Sequence, residues 1–125
     1  MPIASSLLNK PRLVQKLRDF YDYVQKNEGK VGSKTRGIDL NFNNACNLRC
    51  KYCFTNSPKG DHVKEYLDLG AIKNLADDAD ELGYFEFDLQ GGELLLQPEK
   101  LFSVLKAIRP ERFYLYLTTN GYYLD

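Results

Sequence analysis

Strand-like and helix-like segments alternate along this chain, and this order limits the folds open to it. Alternating apolar and polar residues predict three β-strands with the sequences IDLNFN, YFEFDLQ and RFYLYLTTN. Apolar residues at helical spacing predict two helices between them, LDLGAIKNLADDADELG and PEKLFSVLKAI, and one before the first strand, NKPRLVQKLRDFYDYVQKNEG. Strands that alternate with helices pair in parallel through right-handed crossovers. The chain is therefore predicted to be an α/β protein with three parallel strands, crossover helices and a preceding N-terminal helix.

The ends and inward faces of the first two helices follow from the same pattern. Asn9 is expected to cap the first helix, with Pro11 in its first turn, and Asp68 is expected to cap the second. The apolar stripe predicted for the first helix consists of Leu13, Leu17, Phe20 and Val24. The residues predicted to face inward from the second helix are Leu69, Ile72, Leu75, Ala76, Ala79 and Leu82.

Length and charge set limits on the class of protein. The 125 residues, 43% of them hydrophobic, suit one domain with a packed core. The 17 basic and 17 acidic residues balance, which disfavours nucleic acid or an anionic membrane as a partner without ruling either out. The sequence has no targeting pattern, and no apolar run approaches the roughly 20 residues that cross a bilayer. A cytoplasmic location without membrane association is expected.

All three cysteines lie within one short segment, ACNLRCKYCFTN. Cysteines stay reduced in the cytosol, so a tight cluster there indicates a metal site rather than disulfides. The spacing Cys-x3-Cys-x2-Cys lets Cys46, Cys50 and Cys53 hold three irons of a cubane cluster and leave the fourth iron open. Arg49 and Lys51 lie between these cysteines, and their charge is expected to favour thiolates and an anionic cluster.

Two other interpretations of the cysteines stay open on residue type alone. A zinc site usually takes four ligands. The only histidine, His62, fits no standard finger spacing with the cysteines and is expected on a surface loop. Cysteines at these spacings would also share one helix face and could be core residues, although Asn44 and Asn47 disfavour a helix interior.

Three motifs are predicted to meet at one edge of the sheet, because each directly follows a strand. They are the cysteine segment, the Gly-Gly-Glu of residues 91–93 and the Thr-Asn-Gly of residues 119–121. Ligands of parallel α/β sheets gather beyond the carboxyl ends of the strands. The strands also carry polar faces, which indicate either a barrel lumen or simple exposure to solvent: Asp39, Asn41, Glu86, Asp88, Gln90, Thr118 and Asn120.

CNLRCKYC, followed in order by GGE and TNG, resembles the radical S-adenosylmethionine (radical SAM) superfamily, and the resemblance extends from Gly37 to Tyr123. It implies the N-terminal half of a partial (β/α)6 barrel. Residues 36–125 would form the core domain, truncated after its third strand, and residues 1–35 an N-terminal helix and linker.

The resemblance also implies roles for individual residues. The three cysteines would ligate a 4Fe–4S cluster whose open iron chelates S-adenosylmethionine, and Tyr52 would pack near its adenine. Gly91 and Gly92 would let the backbone approach the ligand, and Glu93 would accept a hydrogen bond from the methionine ammonium. Asn120 would hold the carboxylate or the ribose. The resemblance identifies no further catalytic residue.

The function implied is that of an iron–sulfur enzyme, or its N-terminal part. It would cleave S-adenosylmethionine reductively to a 5′-deoxyadenosyl radical that abstracts hydrogen from an unknown substrate. A reductant protein such as flavodoxin or ferredoxin would be a partner. The alternatives are a non-catalytic, truncated iron–sulfur module that needs a partner chain, and a structural metal-binding domain.

Overall fold

A computed structural model of the chain describes residues 9–55, 57 and 67–124. The predicted order of elements is confirmed. Short 3-10 turns at Leu94–Leu96 and Pro110–Arg112 flank the third helix. The helices and strands in chain order are α1 (Pro11–Lys26), β1 (Gly37–Asn41), α2 (Leu69–Glu81), β2 (Glu86–Gln90), α3 (Pro98–Ile108) and β3 (Tyr114–Leu117).

The three strands form one parallel sheet in the order β1-β2-β3, which confirms the predicted fold class. The register sets Asp39 beside Asp88, and Asp88 beside Tyr116. Pairing continues past the end of β3, because Thr118 N donates to Leu89 O over 3.2 Å. The loops that follow the strands therefore leave the sheet at one edge.

The hydrophobic core lies on one face of the sheet, between the strands and the helices α2 and α3. Phe87 and Leu89 of β2 are fully buried, as the alternation in YFEFDLQ predicts. The Phe113 ring packs edge-on against Phe87 with 4.7 Å between centroids. On the opposite face Asp39, Tyr114 and Tyr116 are exposed among the described residues. The core residues from α2 and α3 are Ile72, Ala76, Ala79, Leu101, Val104 and Ile108.

The start of α1 differs from the prediction. Lys10, not Asn9, occupies the N-cap position, and its side chain makes no capping hydrogen bond. Its ammonium instead donates to the carbonyl oxygens of Pro110 (2.8 Å) and Phe113 (2.9 Å). This long-range contact attaches the start of α1 to the segment before β3, and the helix end has no side-chain cap.

The inward face of α2 is narrower than predicted. The predicted cap is confirmed, since Asp68 Oδ2 accepts a hydrogen bond from Ala71 N over 2.9 Å. The prediction that Leu69, Leu75 and Leu82 face inward is wrong, because all three are exposed. At about 100° per residue these leucines lie on the flanks of the stripe that Ile72, Ala76 and Ala79 form against α3.

A charged cluster lies where α1 meets the end of α2. Lys16 of α1 is 2% exposed, and its ammonium lies 2.8 Å from Asp80 Oδ1 and 3.9 Å from the ring centroid of Phe113. Burial lowers the pKa of Lys16. Burial acts to raise the pKa of Asp80, but hydrogen bonds and charge from Lys16 and Arg12 outweigh it and lower that pKa. Asp80 is therefore the carboxylate that compensates a buried ammonium.

Asp80→Asn is expected to destabilise the protein by about 3 kcal/mol, because it leaves the buried Lys16 without its counter-charge. Denaturant unfolding measures this. Lys16→Met combined with Asp80→Asn is expected to recover most of the lost stability. Asp78→Asn, at an exposed position of α2, is expected to change stability by less than about 0.5 kcal/mol.

Folding lowers the Asp80 pKa, so the contribution of Asp80 to stability is complete above the unfolded value of about 4 and is lost as pH falls. The difference between wild type and Asp80→Asn should narrow in acid, and a constant difference would contradict this assignment.

Candidate functional site

The loops after the three strands contact one another through backbone and side-chain hydrogen bonds. The first contact joins the Gly-Gly-Glu turn to the start of the cysteine loop. Gly92 N donates to Asn43 O (3.1 Å), and Glu93 N donates to Ala45 O (2.7 Å). The chain segments after β1 and β2 therefore continue side by side beyond the end of the sheet.

This close approach requires both glycines. A Cβ atom on Gly91 would lie 2.5 Å from the carbonyl oxygen of Asn43, and one on Gly92 would overlap the carbonyl oxygen of Ala45. Each obstacle is backbone, which a side-chain rotation cannot relieve. The structure thus explains Gly91 and Gly92 by packing of the cysteine loop, and their contact with a ligand stays a prediction.

Glu93 joins the second loop to the third. Its side chain is fully buried, and its carboxylate accepts three hydrogen bonds. Oε1 accepts from Leu95 N (2.8 Å) and from the Thr119 hydroxyl (2.7 Å), and Oε2 accepts from Asn120 N (2.8 Å). A buried carboxylate needs such donors, since an unsatisfied one is costly. The predicted ammonium contact stays a prediction beside this observed role.

Asn120 lies in the turn after β3, which ends at Leu117, and not at the last position of a strand as predicted. Its side-chain oxygen accepts from Tyr122 N (3.0 Å), and its Nδ2 donates to Asn47 Oδ1 over 2.9 Å. Asn47 lies inside the cysteine loop and was not predicted as a site residue. The third loop therefore contacts both the first and the second.

The cysteine thiols are free, and Cys50 is the most exposed of the three. Leu48 N donates to Cys46 Sγ over 3.4 Å, and Cys53 N donates to Cys50 O over 3.2 Å. Cys53 Sγ lies 3.1 Å from the Thr55 hydroxyl. Hydrogen bonding, foremost from Thr55, lowers the pKa of Cys53 to about 7, which raises the fraction of thiolate at neutral pH. The described residues form no group of three or more His, Cys, Asp or Glu side chains at metal-binding distances.

Tyr52 and Phe54 flank the last cysteine and project from the loop. Tyr52 is 97% exposed and Phe54 81% exposed, so neither ring is held by packing against the described part of the chain. The role of Tyr52 beside an adenine stays a prediction. His62 lies outside the described residues, so its position on a surface loop stays a prediction.

The family profile of the radical SAM superfamily matches residues 40–125. The chain belongs to this superfamily. The match covers all three motifs that meet at the carboxyl edge of the sheet. Membership in the radical SAM superfamily, whose members are enzymes, implies a 4Fe–4S cluster and S-adenosylmethionine as cofactors.

Several curated proteins resemble this radical SAM chain. A GTP 3′,8-cyclase of Psychromonas ingrahamii is 32% identical over 90 residues, which is 70% of this chain and 26% of the relative. A putative glycyl-radical enzyme activating enzyme of Methanocaldococcus jannaschii is 35% identical over 79 residues, 63% of this chain and 29% of the relative. An S-adenosylmethionine-dependent nucleotide dehydratase of Fibrobacter sp. is 28% identical over 100 residues, 74% of this chain and 29% of the relative.

This chain spans less than a third of the length of each of these radical SAM relatives. No solved structure matches it. Among the described residues, no helix is both long enough and apolar enough to cross a membrane.

The residues of the cysteine loop fit the cluster that the radical SAM family implies. The loop offers three sulfur donors, and soft thiolates are the ligands that iron–sulfur clusters take. The Thr55 hydrogen bond favours the thiolate of Cys53, and the exposed Arg49 and Lys51 supply positive charge between the cysteines. The donor set is thus suited to an anionic cluster at this edge of the sheet.

Gly92→Ala is expected to destabilise the chain by about 3 kcal/mol, because the added methyl group would overlap the Ala45 backbone and force the cysteine loop away. Thermal or denaturant unfolding of the metal-free chain measures this loss. Gly83→Ala is the control, since it meets no atom within 4 Å and carries only the strain of a positive φ of 81°. It should cost about 1 kcal/mol. Equal losses in the two variants would contradict the close approach at Gly92.

Proposed function

We propose that this chain forms the cofactor-binding part of a radical SAM enzyme, with Cys46, Cys50 and Cys53 holding one 4Fe–4S cluster. Residues 36–125 would be its core domain, and residues 1–35 a preceding helix and linker. The observation that carries the proposal is the buried Glu93 carboxylate, which joins the Gly-Gly-Glu turn to the Thr-Asn-Gly turn beside the cysteine loop. When bound, the cluster would pass one electron from an external reductant to S-adenosylmethionine, whose reductive cleavage gives methionine and a 5′-deoxyadenosyl radical.

The three thiolates would hold the cluster, leaving one iron without a protein ligand. Thr55 stabilises the thiolate form of Cys53, and the exposed Arg49 and Lys51 would offset the negative charge of three thiolates. The reductant would be a small electron-transfer protein such as flavodoxin or ferredoxin, and a cytoplasmic location suits three free thiols.

The cofactor contacts would come from all three loops. Glu93 Oε2 accepts one hydrogen bond from the described residues, from Asn120 N, and has capacity for a second from the methionine ammonium. Because this carboxylate is fully buried, the turns around it would have to move apart for that contact to form. Asn120 Nδ2 uses one of its two N–H groups on Asn47 and keeps the other for the cofactor's carboxylate or ribose. Tyr52 would cover the adenine, and the Gly91–Gly92 backbone would lie beside the cofactor.

The polar face of the sheet would line the space for substrate. Asp39 and Asp88 lie side by side on the face opposite α2 and α3, and Asp88 Oδ1 is buried without a hydrogen-bond partner among the described residues. A buried carboxylate oxygen without a hydrogen-bond partner favours binding of a polar substrate on this face. The names of the relatives describe different reactions, and the proposal extends to none of those reactions.

Anaerobic reconstitution with iron and sulfide is expected to give about four irons per chain, since three thiolates suffice for one cubane cluster. Iron and sulfide analysis with absorption spectroscopy measures this. Cys50→Ala should abolish the cluster, because two thiolates do not retain a cubane, whereas Ser103→Ala, on α3, should keep it. Tight stoichiometric zinc in place of iron would overturn the proposal. Release of methionine and 5′-deoxyadenosine from added S-adenosylmethionine under a reductant would separate the enzyme from a non-catalytic module.

Glu93→Gln is expected to weaken S-adenosylmethionine binding about tenfold or more at unchanged iron content, because a charge-assisted hydrogen bond contributes roughly 1.5–3 kcal/mol. Calorimetry on the cluster-loaded chain measures the affinity. Thr119→Ala is the matched variant, since it removes a donor to Glu93 Oε1 and leaves the carboxylate in place. If both variants lost the same affinity for S-adenosylmethionine, Glu93 would only link the two turns. An unchanged affinity in Glu93→Gln would contradict a contact between Glu93 and the ammonium.

A further inference from the structure

We infer that Asn47 is a positioning residue, which fixes the cysteine loop against the turn after β3 through its hydrogen bond to Asn120. Neither the family profile nor the sequence motifs assign Asn47 a role. The hydrogen bond between Asn47 and Asn120 is present in the metal-free chain. Only its expected effect on a bound cluster rests on the proposed function.

Two hydrogen bonds hold Asn120 in place. Its backbone N–H donates to the buried Glu93 carboxylate over 2.8 Å, and its side-chain oxygen accepts from Tyr122 N over 3.0 Å. These two bonds fix the backbone and the amide plane of Asn120. The Nδ2 group that remains donates to Asn47 Oδ1 over 2.9 Å. A continuous series of hydrogen bonds therefore runs from the buried Glu93 to the residue after the first cysteine.

The cysteine loop has little else to hold it at this point. The other hydrogen bonds described for residues 46–55 join the loop to itself or to its neighbour Ser57. Arg49 and Lys51 are exposed and have no ion-pair partner among the described residues. The preceding anchor, Ala45 O with Glu93 N, lies before the first cysteine. The Asn47–Asn120 bond thus links the cysteine-bearing part of the loop to the rest of the site.

The hydrogen bond of Asn47 limits how far the cysteines can move from the turns after β2 and β3. Asn47 directly follows Cys46 and precedes Cys50 by three residues, so its attachment limits where these two thiols can move. Loss of the bond should leave the sheet and the Glu93 contacts intact while the loop opens more often. Asn47 would therefore act through the placement of the cysteines, without touching a cofactor.

The metal-free chain allows a direct test by limited trypsin cleavage, because Arg49 and Lys51 are exposed cleavage sites within the loop. Asn47→Leu is expected to raise cleavage after these two residues about fivefold, the factor that one net hydrogen bond provides. Asn47→Asp keeps an acceptor for Asn120 Nδ2 and should cleave at nearly the wild-type rate. Asn44→Ala, also in this loop, is the control and should leave the rate unchanged, as no side-chain hydrogen bond of Asn44 is described.

A double-mutant cycle identifies the partner. Asn120→Ala should also accelerate cleavage, and Asn47→Leu combined with it should add little, because both changes remove one contact. If the two effects multiply instead, the residues act independently and the inference is overturned. Equal acceleration by Asn47→Leu and Asn47→Asp would overturn it as well, since the acceptor would then be irrelevant.

The cluster-loaded chain supplies a second readout. Iron release to a chelator should be about fivefold faster in Asn47→Leu and should return to the wild-type rate in Asn47→Asp. Wild-type release in Asn47→Leu would overturn the inference. If the wild-type chain assembles no cluster, the proposed function fails, and trypsin cleavage of the metal-free variants still decides whether Asn47 positions the loop.

Discussion

The buried carboxylate of Glu93 is the group on which the arrangement of the candidate site depends. It accepts hydrogen bonds from Leu95, Thr119 and Asn120, so one side chain sets the turn after β2 against the turn after β3. The backbone N–H of Glu93 donates to Ala45 O, which joins the loop after β1 to these two turns. A buried carboxylate is stable only with such donors, and this requirement makes the three loops a single unit.

The opposite end of the fold is organised by a second set of buried charges. Lys16 lies between Asp80 and the ring of Phe113, and Arg112 donates to Asp77 over 2.9 Å. These contacts hold α1 against the end of α2 and the start of β3. Helix docking and site assembly thus rely on different ion and hydrogen-bond clusters, so changes at one end should have little direct effect on the other.

Membership in the radical SAM superfamily and the geometry of the loops support each other. The family profile covers residues 40–125, and these residues contain the cysteine loop and both turns that meet it. The helices α2 and α3 cover one face of the sheet, while Asp39, Tyr114 and Tyr116 on the other face are exposed in the described chain. That division leaves the polar face and the cysteine loop on accessible surface.

The order of helices and strands was predictable from the sequence, because strand alternation and helical spacing are local properties. Phe87 and Leu89 are buried and Asp68 caps α2, as the patterns predict. Three features become visible only in the folded chain: the exposed leucines on the flanks of α2, the burial of Lys16, and the contact of Asn47 with Asn120 across 73 positions of sequence. The folded chain also explains why residue 92 is glycine, since the Ala45 backbone occupies the space that a side chain would need. These features depend on neighbours that are distant in sequence, and a local pattern holds no information about such neighbours.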